Sequence, residues 1–129
     1  MRRRRDRRGV TARRGEMAAA VYLRLRGHRI LARNWRCPRG EIDIVTEHRG
    51  VLVFVEVKTR RTRSAGAPED AVDARKQARL SALAAAYVAR HGYADVPCRF
   101  DVVAVEPRRL RLPRITYLRD AFSADGTIW

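Results

Sequence analysis

Cysteine, lysine and long apolar runs are scarce in this sequence of 129 residues. No apolar run is long enough to cross a membrane, so no membrane-spanning segment is expected. Cys37 and Cys98 are the only two cysteines, and they form neither a CxxC pair nor a zinc-ligand spacing with the three histidines. Nothing in the sequence favours secretion, and we interpret both cysteines as reduced thiols of a cytoplasmic protein. The arginine pairs near the start lack the uncharged segment that a twin-arginine signal requires.

The charges are unbalanced, and the basic residues are almost all arginine. Twenty-nine basic residues stand against 14 acidic ones, which gives a formal net charge of +15 at pH 7. This favours a polyanionic partner, nucleic acid first and an anionic membrane surface second, unless it reflects only a compositional bias towards arginine. The two lysines are Lys58 and Lys76. Because a lysine is a compact charge whose pKa shifts readily, its use at position 58 indicates a specific need for an ammonium group.

The length fits one domain with a modest core, preceded by a basic segment. Residues 1–14 are rich in arginine, and a like-charge run of this kind is typical of a disordered arm that binds nucleic acid or of a solvated tail. We therefore expect a disordered basic arm over 1–14, a folded domain over 15–122 and a loose tail over 123–129.

The most informative stretch runs from Gly40 to Lys58 and has the pattern of a β-hairpin. Two runs of β-branched and aliphatic residues flank a short polar segment that ends in Arg49-Gly50. A hairpin symmetric about this step would pair Val45 with Phe54. Because side chains alternate between the faces of a strand, one face would then be aliphatic. The residues of that face would be Ile42, Ile44, Val53, Val55 and Val57.

The same register sets two carboxylates opposite each other. Asp43 would face Glu56 at roughly 5 Å between their Cβ atoms, where like charges repel. A divalent cation would remove this conflict, since Mg²⁺ is typically held by one or two carboxylates together with water and phosphate. Alternatively, Glu41 or Lys58 neutralises the pair within a surface salt-bridge cluster. The spacing alone leaves both interpretations open.

Two more charged residues lie on the inward stripes of predicted helices. Glu16 shares a stripe with Leu23, either as a third acidic group of the site or as a carboxylate that interacts with the helix dipole. Lys76 lies in the apolar stripe of the second helix, so it either enters the site or extends along an apolar face. The loop after Lys58 is basic, and its arginines either contact phosphate oxygens or are solvated. They are Arg60, Arg61 and Arg63.

The predicted elements follow in the order helix, strand, two hairpin strands, helix, strand, strand. The first helix covers 15–26, and the second begins at Pro68 and ends near His91-Gly92. The strands outside the hairpin cover 29–36, 98–106 and 114–118. This order predicts a single α/β domain in three layers, with a mixed central β-sheet flanked by helices.

These residues resemble the PD-(D/E)xK nuclease superfamily, which includes type II restriction enzymes and archaeal Holliday-junction resolvases. The shared pattern is an acid in the first helix, an Asp on one strand and Glu-x-Lys on the next. Within the superfamily, the YraN-like bacterial family is most similar over 15–122, although Ile42 stands where the superfamily's name has proline. The matching motifs, in order, are Gly15-Glu16, Asn34, Gly40-Glu41-Ile42-Asp43, Phe54-Val55-Glu56-Val57-Lys58, Lys76, Arg99-Phe100-Asp101 and Ala121-Phe122.

The resemblance implies a restriction-endonuclease-like fold and a role for each matching residue. Asp43 and Glu56 would be carboxylate ligands of Mg²⁺ or Mn²⁺, and the backbone carbonyl of Val57 would be a further ligand. Lys58 would orient the attacking water and stabilise charge on the phosphorane, and Glu16 would complete the metal site directly or through water. Lys76 matches a helical position that often assists. A homodimer is a candidate assembly, because relatives that cut both strands are often dimers.

The leading hypothesis is a metal-dependent endonuclease that acts on DNA. Neither a recognition helix nor a zinc finger is apparent, so we expect selectivity for nucleic-acid structure rather than for sequence. One alternative is a nucleic-acid-binding module that has the same fold and cleaves nothing. Another is an adaptor whose basic arm engages an acidic partner.

Overall fold

The computed structural model describes residues 2–60 and 73–122, except for the side chains of residues 2–8, 10 and 11. These residues form seven elements in the order that the sequence predicts. The elements are α1 (Arg2–Leu25), β1 (Arg29–Cys37), β2 (Gly40–His48), β3 (Val51–Thr59), α2 (Ala74–His91), β4 (Cys98–Arg108) and β5 (Arg111–Phe122). The five strands form one sheet and lie in it in the same order as in the chain.

The sheet is mixed, which confirms the predicted class. Among the described strands, β3 and β4 are parallel neighbours, and the other neighbouring pairs are antiparallel. Parallel neighbours need a crossover connection, and the chain between β3 and β4 contains α2.

Each face of the sheet is covered by one helix, so the domain has three layers. The cluster under α1 consists of Ala19, Ala20, Leu23, Ile44, Val53, Val55, Val103 and Val105. The cluster under α2 consists of Ile42, Val45, Leu52, Phe54, Leu80, Leu83, Ala84, Tyr87, Phe100, Val102 and Phe122. A single α/β domain with two helices on opposite faces of a five-stranded mixed sheet is consistent with a restriction-endonuclease-like fold.

α1 is longer than the sequence predicts. It begins at Arg2 rather than at Gly15, so helical backbone extends through the segment expected to be a disordered arm. Arginine has a high helix propensity, and a run of arginines can therefore continue a helix at little cost. The division of the chain into arm, domain and tail stays a prediction, and residues 123–129 lie outside the described residues.

α2 and β5 also differ from their predicted bounds. α2 begins at Ala74, and Asp73 is its N-cap. The carboxylate of Asp73 accepts a hydrogen bond from the backbone N–H of Lys76 at 2.9 Å. The predicted start at Pro68 lies outside the described residues. β5 spans Arg111–Phe122 instead of 114–118.

The register of the β2–β3 hairpin is the predicted one. Val45 pairs with Phe54, and Glu47 pairs with Leu52. The hairpin therefore turns at Arg49-Gly50, where both residues have positive φ. This is the backbone conformation that two-residue hairpin turns require.

One predicted face is wrong, because Ile42 lies on the opposite side of the sheet from Ile44. Ile44 packs under α1, whereas Ile42 packs under α2. Residues two positions apart should share a face, so the alternation of β2 breaks at Asp43. Asn34 of the neighbouring strand lies beside this break and has a φ of 53°. The break occurs at the residue that the sequence singles out as a metal ligand.

Candidate active site

Asp43 and Glu56 lie side by side at one end of the hairpin. The regular pairing of β2 and β3 ends at Ile44 and Val55, one residue before them. Asp43 is partly buried, and its Oδ2 accepts the backbone N–H of Val57 at 2.8 Å. The side chains of Glu56 and Asp43 are close enough for each to shift the pKa of the other. The structure thus brings together the two carboxylates that the sequence sets opposite each other.

Both carboxyl groups hold their protons more tightly than usual. Burial and then the charge of Glu56 raise the pKa of Asp43 from 3.8 to about 7, against the opposing effect of the Val57 N–H. Burial also raises the pKa of Glu56, although the positive charge of Lys58 opposes this. When no cation is bound, the pair therefore keeps a proton below about pH 7 and loses it at alkaline pH.

Three cations approach this pair from β3 and α2. The charges of Lys58, Arg79 and Lys76, in this order, lower the pKa of Glu56. Lys58 follows Glu56 by two residues and therefore shares its face of β3. The close approach of Lys76 is the largest cause that lowers the pKa of Lys58, followed by burial. The structure therefore places both lysines of the chain together at the carboxylates.

Arg79 is the residue of this site that sequence analysis missed. Its position appeared to lie off the apolar stripe of α2, and its side chain is exposed. It nevertheless acts on Glu56 from the same helix as Lys76. The available signal was its spacing, because residues three apart are neighbours on a helix surface.

Glu16 reaches the site from the other face of the sheet. It is partly buried on α1, and its charge contributes to the raised pKa of Asp43. The preceding residue, Gly15, packs so closely against β3 that an added Cβ would collide with Oγ1 of Thr59. Because Gly15 contacts Thr59, the next residue, Glu16, lies near the end of β3 that contains Lys58.

Of the three loop arginines, Arg60 is the one that the structure describes. Its backbone N–H donates to the carbonyl of Val105 at 2.8 Å. Its charge contributes to the lowered pKa of Lys58, so it lies beside the site. Arg61 and Arg63 lie outside the described residues.

The donor chemistry at Asp43 and Glu56 fits a hard divalent cation. In the described part of the chain, no three or more Asp, Glu, His or Cys side chains are grouped to hold a metal ion by themselves. Mg²⁺, however, is usually held by one or two carboxylates and completes its shell with water and phosphate oxygens. A cation would replace the proton that the two carboxyl groups share and would relieve their repulsion. Whether Glu16 completes this shell directly or through water stays a prediction.

Within the described ranges, no helix is both long enough and apolar enough to cross a membrane. Cys37 and Cys98 are both free thiols, as the sequence predicts.

Comparison with known proteins identifies the family. The sequence profile of the uncharacterised protein family UPF0102 matches residues 15–105. The UPF0102 protein of Symbiobacterium thermophilum is 54% identical over 110 residues, which cover 85% of this chain and 93% of that protein. The UPF0102 protein of Moorella thermoacetica is 49% identical over 109 residues, or 84% of this chain and 91% of that protein. The UPF0102 protein of Geobacter sulfurreducens is 48% identical over 109 residues, which cover 84% of this chain and 85% of that protein. The chain therefore belongs to the UPF0102 family, the YraN-like family that its motifs resemble.

Proposed function

We propose that this protein is a metal-dependent endonuclease of the PD-(D/E)xK superfamily that hydrolyses phosphodiester bonds of DNA. The observation that carries the proposal is the adjacent pair of Asp43 and Glu56, both with a raised pKa, beside two lysine amines. Perturbed ionisable groups that converge in this way are typical of sites that do chemistry. A surface salt-bridge cluster would instead lower the pKa of its carboxylates.

Asp43 and Glu56 would hold Mg²⁺ or Mn²⁺, with the backbone carbonyl of Val57 as a further ligand. The bound ion would neutralise a phosphate oxygen and lower the pKa of a water molecule. The Val57 N–H already fixes one oxygen of Asp43, so this carboxylate is held in one orientation before any ligand arrives. A fixed orientation reduces the entropy that is lost when the site is filled.

Lys58 would orient the attacking water and donate to the phosphate oxygen on which charge develops. Its lowered pKa makes its amine a better proton carrier near neutral pH than an unperturbed lysine. An arginine could not serve in this way, because its guanidinium does not lose its proton in proteins. Lys76 would support Lys58 because its nearby charge lowers the pKa of the Lys58 amine, and Glu16 would bind water at the edge of the site.

The arginines would bind the phosphate backbone without reading its sequence. Contacts to phosphates are salt-dependent and carry no sequence information directly. Arg60 lies beside Lys58, and we propose the same contact for Arg61 and Arg63. Selectivity would then depend on the shape of the DNA, so branched or damaged DNA is the proposed substrate.

The test is a nuclease assay on single-stranded, duplex, flap and four-way-junction DNA with Mg²⁺ or Mn²⁺. Wild type is compared with Glu56→Gln and with the matched control Glu106→Gln, which removes a carboxylate from β4. We expect wild type and the control to nick at least one substrate, and Glu56→Gln to be slower by about 100-fold or more. Intact substrates throughout, or equal rates for all three proteins, would contradict the proposal. Identical purification of the variants exposes a contaminating nuclease, whose activity would survive the Glu56→Gln change.

The second candidate is a nucleic-acid-binding module that cleaves nothing, which the net charge of +15 favours. Calorimetric titration with Mn²⁺ distinguishes the two candidates. A cation site that is lost in Asp43→Asn supports the endonuclease. Salt-dependent binding of DNA that needs no metal and survives Asp43→Asn supports the binding module.

Two further expectations stay predictions. A homodimer would suit an enzyme that cuts both strands, and sedimentation equilibrium of the wild-type chain measures its mass in solution. A cytoplasmic location is tested by fractionation of the cells that produce the protein.

A further inference from the structure

A second cluster of polar side chains lies at the opposite end of the hairpin from the carboxylates. It surrounds a cavity of about 230 Å³ between the end of α1 and strands β2, β4 and β5. His48 and Asp43 are five residues apart on β2, a separation of roughly 17 Å at about 3.3 Å per residue. The lining residues are Arg26, His28, His48, Arg49, Arg99, Tyr117 and Arg119.

The walls of this cavity are held by a chain of hydrogen bonds. Nδ1 of His28 lies 2.7 Å from Oγ1 of Thr46, and its ring stacks on that of His48 at 4.2 Å between centroids. Nδ1 of His48 in turn lies 3.3 Å from a guanidinium nitrogen of Arg99. The hydroxyl of Tyr117 lies 3.4 Å from Nε2 of His28. Side chains fixed in this way lose little freedom when a ligand binds.

The cavity is strongly positive. Four arginines line it, and no carboxylate belongs to its lining. Both histidines are neutral near pH 7, because burial is the main cause that lowers the pKa of His28 to about 4 and also lowers that of His48. The C-terminal end of α1 contributes only about −0.5 of a charge. The cavity therefore keeps most of the charge of its arginines.

The buried carboxylate of Asp101 lies next to the residues that line the cavity, and both of its oxygens already accept hydrogen bonds. Asp101 is 1% exposed and accepts hydrogen bonds from Arg99, from the hydroxyl of Tyr117 and from the backbone N–H of Asp120. It neutralises one of the four arginines. Arg99 itself is 8% exposed and donates through Nε and Nη2, while its Nη1 makes no hydrogen bond within the described part of the chain.

Two arginines outside the cavity show how an arginine of this protein is neutralised when a carboxylate is near. Arg29 forms an ion pair with Glu47, and Arg36 forms one with Glu41 at 3.5 Å. At the cavity Asp101 pairs with Arg99 alone, although crowded positive charges are costly without partners. Three exposed arginines gathered around a fourth that is buried instead provide donors for a ligand.

We propose that this cavity binds a phosphate group. Guanidinium groups match phosphate oxygens with paired N–H donors, and such charge-assisted hydrogen bonds are about twice as strong as neutral ones. The volume equals that of about eight water molecules at roughly 30 Å³ each, which accommodates the five non-hydrogen atoms of phosphate and some water. The site uses none of the residues of the carboxylate site and does not depend on the proposed endonuclease activity.

The phosphate has three candidate sources: the backbone of a nucleic acid, its terminal phosphate, or a small free anion. A nucleic-acid source would rest on the proposed function and deepen it. The roughly 17 Å between the two sites equals about five base pairs of duplex at about 3.4 Å each. One nucleic acid could therefore contact both ends of the hairpin at once.

The chain has three histidines, which allow a test with an internal control. His28 and His48 line the cavity. His91 lies at the end of α2 and packs against Tyr87 of the same helix and Trp35 of β1. Inorganic phosphate is titrated at fixed pH and ionic strength with EDTA present, and the ring resonances of all three histidines are followed by NMR. We expect saturable shifts for His28 and His48 and none for His91. Absence of a saturable shift at His28 and His48, or equal shifts at all three rings, would overturn the proposal.

The matched variants separate a specific site from general positive charge. Arg49→Asn combined with Arg119→Gln removes two exposed arginines of the cavity, and Asn suits the positive φ of position 49. Arg109→Gln combined with Arg114→Gln removes the same charge elsewhere on the surface. We expect phosphate binding to weaken at least about tenfold in the first double variant and to be unchanged in the second. Equal weakening in both would contradict a site at the cavity.

Further titrations identify the source of the phosphate. A short single-stranded oligonucleotide is compared with its 5′-phosphorylated form, again in EDTA so that the carboxylate site plays no part. Equal shifts at His28 and His48 with both oligonucleotides assign the site to the backbone. Shifts with the phosphorylated form alone assign it to a terminal phosphate. Shifts with inorganic phosphate but with neither oligonucleotide assign it to a small anion and leave the endonuclease proposal untouched.

Discussion

Replacing Asp43 by Asn is expected to make the metal-free protein more stable at alkaline pH. In the folded protein the pKa of this carboxyl group rises from 3.8 to about 7, chiefly through burial and the charge of Glu56. At pH 8 the group is therefore ionised in an environment that disfavours its charge. Asn removes the charge, and its amide oxygen can still accept the hydrogen bond from Val57.

The size of the gain follows from the displacement of the pKa. At about 1.4 kcal/mol for each pH unit, the full displacement corresponds to about 4 kcal/mol. Asp43 shares its proton with Glu56, and part of the cost remains with that partner, so we expect a gain of about 2 kcal/mol at pH 8. Because the folded pKa lies above the unfolded one, wild type recovers stability as the pH falls from about 7 towards 3.8. The advantage of the variant should therefore fall to less than half by pH 5.

The measurement is urea unfolding in EDTA, followed by tryptophan fluorescence at pH 8 and pH 5. Asp95→Asn is the control, because this carboxylate is exposed on the loop after α2, and its removal should change stability by less than about 0.5 kcal/mol. The reasoning is refuted if Asp43→Asn is no more stable than wild type at pH 8, or if its gain is as large at pH 5. Added Mn²⁺ should reverse the order, because a ligand of the folded state stabilises only the protein that binds it.

Three other predictions concern single side chains. The folded pKa of His28, about 4, lies below its unfolded value of 6.5, so wild type should lose about 2 kcal/mol of stability between pH 7 and pH 5. The free energy of unfolding of His28→Gln, measured over the same pH range and subtracted from that of wild type, separates this loss from the opposite pH dependence caused by Asp43. Gly15→Ala should destabilise the folded protein by about 1–3 kcal/mol, because the added Cβ collides with Thr59. Denaturant unfolding of the two single variants and the double variant should show that Thr59→Ala restores most of this loss. Lys58→Arg should slow the proposed DNA nicking by about 100-fold or more with DNA affinity unchanged in a filter-binding assay, and equal rates would show that any positive charge suffices there.

The carboxylate site was predictable because its central residues are local in sequence. Asp43, Glu56 and Lys58 belong to one hairpin, and the Arg49-Gly50 turn determines its register. The break in alternation at Asp43 was not predictable, because it lies opposite Asn34, a residue of another strand whose positive φ carries no sequence signal. The extension of α1 to Arg2 was missed because a run of like charges favours both a disordered arm and, for arginine, a helix.

The phosphate cavity was out of reach of sequence reasoning. Its residues come from four separate parts of the chain, and each is individually unremarkable in a sequence with 29 basic residues. His28 and His48 do not have the sequence spacing of zinc ligands and match no other motif. Their stacking arises only because β1 begins beside the end of β2, which is a property of the assembled sheet.

The local character of the hairpin has a consequence for the order in which the molecule assembles. Hairpins form within about 1–10 μs, although an isolated one is only marginally stable in water. Asp43, Glu56 and Lys58 can therefore approach one another as soon as β2 and β3 meet. The contact between Tyr117 and His28 spans 89 residues, so the arginine-lined cavity is complete only after β5 has joined the sheet. A divalent cation would thus act on a unit that forms early, whereas phosphate would bind only the finished fold and slow its unfolding.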